Sequence, residues 1–310
     1  RTYGDAGVTV DPSRVLLTAS TSEAYAFLLK LLCDDGDEVL VPEPSYPLLE
    51  HLARLEGVRL VPYLLAYDGE WHLDVSSVHR AIGPRSRAIV VVHPNNPTGS
   101  YLKKDELAAL AATGLPLVSD EVFAPYALSS DPRRARSAIE AEGTLVFALG
   151  GLSKMAALPQ MKLAWIAVSG PEERVREALA RLELISDTFL SVTTPVQLAA
   201  PALLASRRVA ADAIVARLTR NLQDVARRVV DTPLSLLKVE GGWYATLRIP
   251  RTMSEEAWAL TLLREDGVYV HPGHFFDFAS EAYLVTSLLT PEEIFTEGVA
   301  RIVARVLASG

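Results

Sequence analysis

Short apolar runs with strand character alternate along the chain with stretches in which apolar positions recur every three or four residues. Residues 15–19 (VLLTA) predict a strand that leads into a helix at about 22–33, with Ser22 as its N-cap. The cluster Asp34, Asp35, Gly36 and Asp37 predicts a turn before a strand at 38–42. A helix at 46–56 ends at Gly57, which suits a C-cap, and a strand follows at 58–64. The stretch 87–92 carries the run AIVVV, the pattern of a strand buried on both faces. A helix at 103–112 and strands at 115–119, 144–149 and 163–168 complete this half.

From residue 171 the texture changes. Residues 171–187, 195–205 and 207–230 read as long helices rich in Ala, Leu and Arg. After Pro233 come a strand at 242–249, a helix at 254–265, short strands near 267–271 and 282–288, and a last helix at 291–307. The alternation predicts an α/β fold: a mostly parallel sheet with helices on both faces, followed by a smaller α+β domain. The expected division is 1–212 for the large domain and 213–310 for the small one.

Composition narrows the function classes. The 310 residues are 49% hydrophobic and 22% charged, enough apolar material for a large core. A net charge of −8 argues against coating a nucleic acid, which needs a basic stripe. A lone cysteine, Cys33, excludes an internal disulfide framework and a cysteine-based zinc cluster. No apolar run approaches the ~20 residues needed to cross a bilayer. The opening RTYGDAGVTVDPSR lacks the basic-then-apolar pattern of a signal peptide, so a cytoplasmic location is expected.

In α/β sheets ligands bind beyond the carboxyl ends of the strands, so the loops there carry the candidate chemistry. Lysine is scarce: of 30 basic residues only six are Lys, which makes each position informative. Lys30 is expected to snorkel from an amphipathic helix, and Lys103, Lys104 and Lys238 to be solvated. Lys154 and Lys162 lie instead in the nearly uncharged stretch GLSKMAALPQMKLAWIAV. An amine in apolar surroundings suits Schiff-base chemistry, although a loop lysine can simply reach solvent. Asp120 ends the strand PLVSD, where a carboxylate must be paired, solvated or functional. A Walker B reading of Asp120 and Glu121 fails because no G-x-x-x-x-G-K-[ST] loop exists. A serine-hydrolase elbow around Ser153 fails because the second glycine is missing.

These parts together suit pyridoxal 5′-phosphate. That cofactor needs an amine for its aldehyde, a carboxylate for its ring nitrogen, a donor to its phenolate, an anion site for its phosphate and a flat partner for its ring. Lys154, Asp120, Asn96, the helix entrance at Ser20, Thr21 and Ser22, and Tyr46 can supply them in that order. A helix N-terminus suits phosphate because its unpaired N–H groups and its dipole face the anion.

The chain resembles the class I and II aminotransferases of the fold-type I pyridoxal-phosphate group. The resemblance runs over essentially the whole sequence, through PEPSYPLLE at 42–50, HPNNPTG at 93–99, SDEVF at 119–123, SK at 153–154, LPQMKLAWI at 158–166 and HPGHFFDF at 271–278. It implies that Lys154 is the catalytic amine that holds the cofactor's aldehyde and shuttles a proton. It implies that Asp120 keeps the pyridine nitrogen protonated, that Asn96 bonds the phenolate oxygen and that Tyr46 stacks on the ring. Ser20, Thr21, Ser22 and Lys162 would hold the phosphate, and Ser153 would also contact the cofactor. A homodimer that acts on an amino acid and a 2-oxo acid is implied, with no metal, nucleic acid or membrane partner.

The sequence departs from the family pattern at four places. Phe123 stands where a tyrosine usually donates to the phenolate, which predicts a more tightly held proton on the bond between lysine and cofactor. Lys162 replaces an arginine fork by a point charge. His93 opens a motif that usually begins with Asn. The strand Tyr283, Leu284, Val285, Thr286, Ser287, Leu288 lacks the arginine that usually clamps the substrate carboxylate. Arg248, His271 or His274 are substitutes for it, against the alternatives of a surface residue at a strand end and a packed loop. The family's usual N-terminal arm, which closes over the substrate, is not recognisable ahead of Tyr3 and Gly4. Two other readings keep the fold: a pyridoxal-phosphate lyase (β-eliminating, decarboxylating) or racemase, and a non-catalytic regulatory module.

Overall fold

In the computed structural model, which describes residues 2–5, 7–280 and 282–309, one sheet has eight strands among those residues. They are β1 (Val15–Thr18), β2 (Glu38–Glu43), β3 (Arg59–Tyr67), β4 (Trp71–Leu73), β5 (Ser86–Val92), β6 (Leu117–Asp120), β7 (Val146–Gly151) and β8 (Ala164–Ser169). Their spatial order is β1-β8-β7-β6-β5-β2-β3-β4. The central run β7-β6-β5-β2-β3 is parallel, and β8, β1 and β4 are antiparallel to their neighbours.

The apolar run of β5 explains why this sheet is covered twice. Successive side chains of a strand point to opposite faces. Ala88 and Val90 pack with the helices Thr21–Leu32 and Glu172–Asp187, whereas Ile89 and Val91 pack with Val78 and with Leu107 and Leu110 of Lys104–Ala112. The sheet is therefore the middle of three layers, as the alternating pattern predicts.

A second sheet is antiparallel throughout: β9 (Ser235–Leu236), β10 (Tyr244–Arg248), β11 (His271–Pro272) and β12 (Tyr283–Ser287), in the order β11-β12-β10-β9. It packs with the last helix, Glu292–Ala308, and with the long helix Thr194–Arg228. The two sheets approach closely at Gly99 and Gly241. Gly241 N–H donates to the Gly99 carbonyl at 3.0 Å. A Cβ on Gly99, which sits at φ +71°, would lie 2.5 Å from the Gly241 oxygen.

Several boundaries differ from the sequence reading. The N-cap of the helix Thr21–Leu32 is Ser20, not Ser22, because the Ser20 hydroxyl accepts from Glu23 N–H at 3.1 Å. The helices read at 195–205 and 207–230 are one helix. Ala211, Leu218 and Val225, each seven residues apart, bury one stripe on the C-terminal part of that helix. Ser206 at the expected break returns its hydroxyl to the Leu203 carbonyl and stays helical. Strand β4 and the helix Val75–Ala81 are additional elements, too short to show a period. Lys103, expected in solvent, is 5% exposed. Its Nζ lies 2.6 Å from the Glu240 carboxylate and 3.6 Å from Asp131. Burying an ammonium requires such partners.

Candidate active site

Three neighbouring strands end at the same level and deliver four functional side chains. Val92 of β5 is in register with Asp120 of β6, and Asp120 with Leu149 of β7. The chain beyond β5 supplies Asn96, β6 itself ends on Asp120, and β7 runs into the four-residue helix Leu152–Met155 that carries Ser153 and Lys154. All four side chains line a cavity of about 810 Å³. Parallel strands make this convergence, since their carboxyl ends lie on one edge.

Ser20, Thr21 and Ser22 enter the same cavity from the start of the helix Thr21–Leu32. The Ser20 hydroxyl caps the helix as an acceptor, so its own O–H can still donate, and Glu23 in return accepts from Ala19 N–H at 2.6 Å. The N–H groups of the first helical turn have no partner within a helix, so an anion finds donors there. Lys162, in the left-handed region at φ +51°, and Ser153 line the cavity with them. Tyr46 lines it with its ring 52% exposed, which leaves a face for a planar ligand.

Asp120 sits at the cavity wall. Its Oδ2 accepts from the Tyr25 hydroxyl at 3.2 Å, and its Oδ1 from Val122 N–H at 3.2 Å. Burial pushes its carboxyl up to about 6, against the pull of those two donors and of Lys154. A cationic N–H beside it would reverse that cost. Burial and the Asp120 charge drive the Tyr25 hydroxyl upward too, well above its ordinary value, so it stays a donor. Asn96, 8% exposed, has an Oδ1 with no hydrogen-bond partner. An orphaned polar atom at a cavity wall calls for a ligand.

Lys154 Nζ lies 5.2 Å from the Trp243 ring and 5.9 Å from Phe123. Phe123 is buried and meets Trp243 edge-on at 5.1 Å. The Tyr126 hydroxyl donates to the Lys154 carbonyl and fixes the short helix from below.

The cavity thus brings together Ser20, Thr21, Ser22, Tyr46, Asn96, Asp120, Phe123, Ser153, Lys154 and Lys162. Arg248 and His274 do not line it. Arg248 is exposed at the end of β10, and His274 is exposed with its N–H donated to Glu255 at 2.9 Å. His93 also lies off the cavity. It is buried, its Nε2 donates to the Ala135 carbonyl at 3.1 Å, and its Nδ1 accepts from Leu102 N–H at 2.9 Å. Burial lowers it to about 4, so it is a neutral clamp on the loop.

Sequence reasoning missed Tyr25, Glu43 and Asp277. Tyr25, four residues after Thr21, carried one usable signal: a buried tyrosine hydroxyl needs a partner. The others become neighbours only through tertiary contacts.

The residues fit pyridoxal 5′-phosphate: an Asn96 amide whose Nδ2 can donate to the ring oxygen, a carboxylate eased by a cation, a helix entrance for an anion and a reachable amine. A family model described as aminotransferase class I and II matches residues 2–302. The alanine aminotransferase of Mycobacterium tuberculosis H37Rv is 27% identical over 285 residues, 88% of this chain and 66% of that protein. The glutamate-pyruvate aminotransferase of Haemophilus influenzae is 27% identical over 288 residues, 89% of this chain and 70% of that one. Among solved structures, the alanine aminotransferase from Pyrococcus furiosus superposes with a TM-score of 0.90 at 25% identity, covering 99% of this chain and 79% of its own. The chain spans about two thirds of the length of such curated relatives.

Proposed function

The chain belongs to the class I and II aminotransferases, and from that premise we propose that it moves an amino group between an amino acid and a 2-oxo acid, using pyridoxal 5′-phosphate. The observation that carries this reading is the convergence of Lys154, Asp120 and Asn96 on one cavity. The cofactor, when bound, supplies the aldehyde that takes up the amino group and the ring that accepts electrons. In this reading Lys154 is the amine that would hold the aldehyde and would carry the proton removed from the substrate's α-carbon to the cofactor carbon that takes up the amino group. Asp120, oriented by Tyr25, keeps a proton on the ring nitrogen. Asn96 bonds the ring oxygen, Tyr46 covers the ring face, and Phe123 leaves an apolar wall in place of a hydroxyl donor. Ser20, Thr21, Ser22, Ser153 and Lys162 hold the phosphate end. Arg248 and His274 have no part in this assignment.

The same reading takes 1–212 and 213–310 as separate domains and makes the protein a cytoplasmic homodimer. Support for a second copy comes from Leu184, Leu190, Leu198 and Val209, each more than 70% exposed on or between two long helices. No helix among the described residues is long and apolar enough to cross a membrane.

A screen of amino donors tests the activity, read by the change in cofactor absorbance and by oxo-acid release. Conversion to the pyridoxamine form with some donor is expected. Oxo acid and ammonia released without that conversion would point to elimination. No response to any donor would overturn the reading.

A further inference from the structure

Two carboxylates at the mouth of the cavity have no role in holding the cofactor. Glu43 is the last residue of β2, and Asp277 follows the turn Gly273–Phe276. The Ser45 N–H donates to the Phe276 carbonyl at 2.9 Å, which ties the two loops together and brings both acids into the cavity lining. Among the described residues neither carboxylate has an ion-pair partner. Two arginines also line the cavity: Arg54 stands 4.0 Å from Glu50 with both side chains exposed, and Arg59 pairs with Glu38. Lys154 and Lys162 are the cavity's other cations, assigned above to the aldehyde and the phosphate.

Asp277 sits in the left-handed region at φ +57°. Glycine or asparagine would satisfy that backbone equally well, so the charge is not a requirement of the turn. Burial, and then the charge of Asp277, push the Glu43 carboxyl up; burial, and then Glu50, do the same to Asp277. The mouth is thus a patch of mutually repelling acids with an unmet demand for positive charge. It opens into a cavity that calls for a ligand on separate grounds, the unpartnered Oδ1 of the 8% exposed Asn96. On the facing sheet, the stretch 283–288 offers no basic side chain, and Val285 is fully buried.

We infer that Glu43 and Asp277 select an amino donor whose side chain ends in a cationic amine or guanidine. The inference rests on the aminotransferase reading and names the substrate class of that same site. Tyr46 and Tyr244, which line the cavity beside them, give the aliphatic stem of such a side chain aromatic surface to lie against.

The test compares near-isosteric donors on the holoenzyme: arginine against citrulline, and lysine against norleucine. Asp277→Asn keeps a residue that tolerates the left-handed backbone, and Glu43→Gln keeps shape. The unaltered enzyme is expected to favour the cationic member of each pair in kcat/KM. Either variant is expected to cut that preference about tenfold, the scale of one charge-assisted contact. Equal ratios in all three proteins, or a preference for neutral or acidic donors, would overturn the inference. Calorimetric binding of n-butylguanidine, which has no α-amino group to react, separates this outcome from failure of the aminotransferase reading. A Kd that rises about tenfold in Asp277→Asn supports the acidic mouth even if no donor turns over. An unchanged Kd counts against it whatever the turnover.

Discussion

The floor and the mouth of the cavity are built in opposite ways. At the floor, Asn96, Asp120 and Lys154 stand at or just beyond the ends of adjacent parallel strands, and two of them are fixed by Tyr25 and Tyr126 beneath. At the mouth, Glu43 and Asp277 sit on loops joined by a single backbone hydrogen bond, with no side chain holding either carboxylate. The floor is rigid because strand register and buried hydroxyls determine where each atom lies. In the proposed reading, reaction type belongs to the first region and substrate choice to the second.

The largest expected effect tests the floor. Lys154→Ala should lower transamination at least ~10³-fold, since both the amine that holds the aldehyde and the proton carrier are lost. Borohydride reduction followed by mass spectrometry should find no cofactor attached to the chain. Attachment elsewhere would reassign the amine.

Asp120→Asn comes next, with kcat down roughly 10²-fold through loss of a charge aimed at the reacting ring. The cofactor-free variant should be at least as stable as the parent above pH 6. Burial raises Asp120, so ionising it costs folding stability there. A fall in both activity and stability would make Asp120 a structural residue and blur the contrast between floor and mouth.

Glu121→Gln should leave the smallest mark. Glu121 lies next to the floor, where Ser119, Ser137 and Ala138 N–H all donate to it. Burial nevertheless pushes its carboxyl from 4.5 to about 7. The folded chain therefore holds a proton that the unfolded chain releases earlier. The stability this contributes is full below about pH 4.5 and is lost as the pH rises through about 7. Urea midpoints measured from pH 5 to 8 should decline less steeply in Glu121→Gln than in the parent. Identical slopes would show that Glu121 titrates normally.

The floor was largely legible in the sequence because its residues lie within a few positions of strand ends. The run AIVVV, the ending on Asp120 and the uncharged stretch around Lys154 and Lys162 announced strand, carboxylate and amine together. The third departure also has a physical reason: His93 is a buried clamp, which is why its chemistry plays no part at the cavity. Lys103 was misread because its partner Glu240 lies 137 residues away, and nothing local marks a lysine as buried. The continuous helix Thr194–Arg228 was misread because a serine inside a long amphipathic stretch resembles a break until its stripe finds a surface.

By itself, the sequence determined the three-layer fold, the order of the site motifs and the identity of the groups at the cavity floor. These follow from periodicity and from residues close to one another along the chain. The tertiary structure alone decided that Tyr25 donates to Asp120 across 95 residues, that Trp243 flanks Lys154, and that Glu43 and Asp277 share one mouth. Such pairings depend on how two sheets and their loops dock, and docking is fixed by packing and charge between segments that carry no local trace of each other.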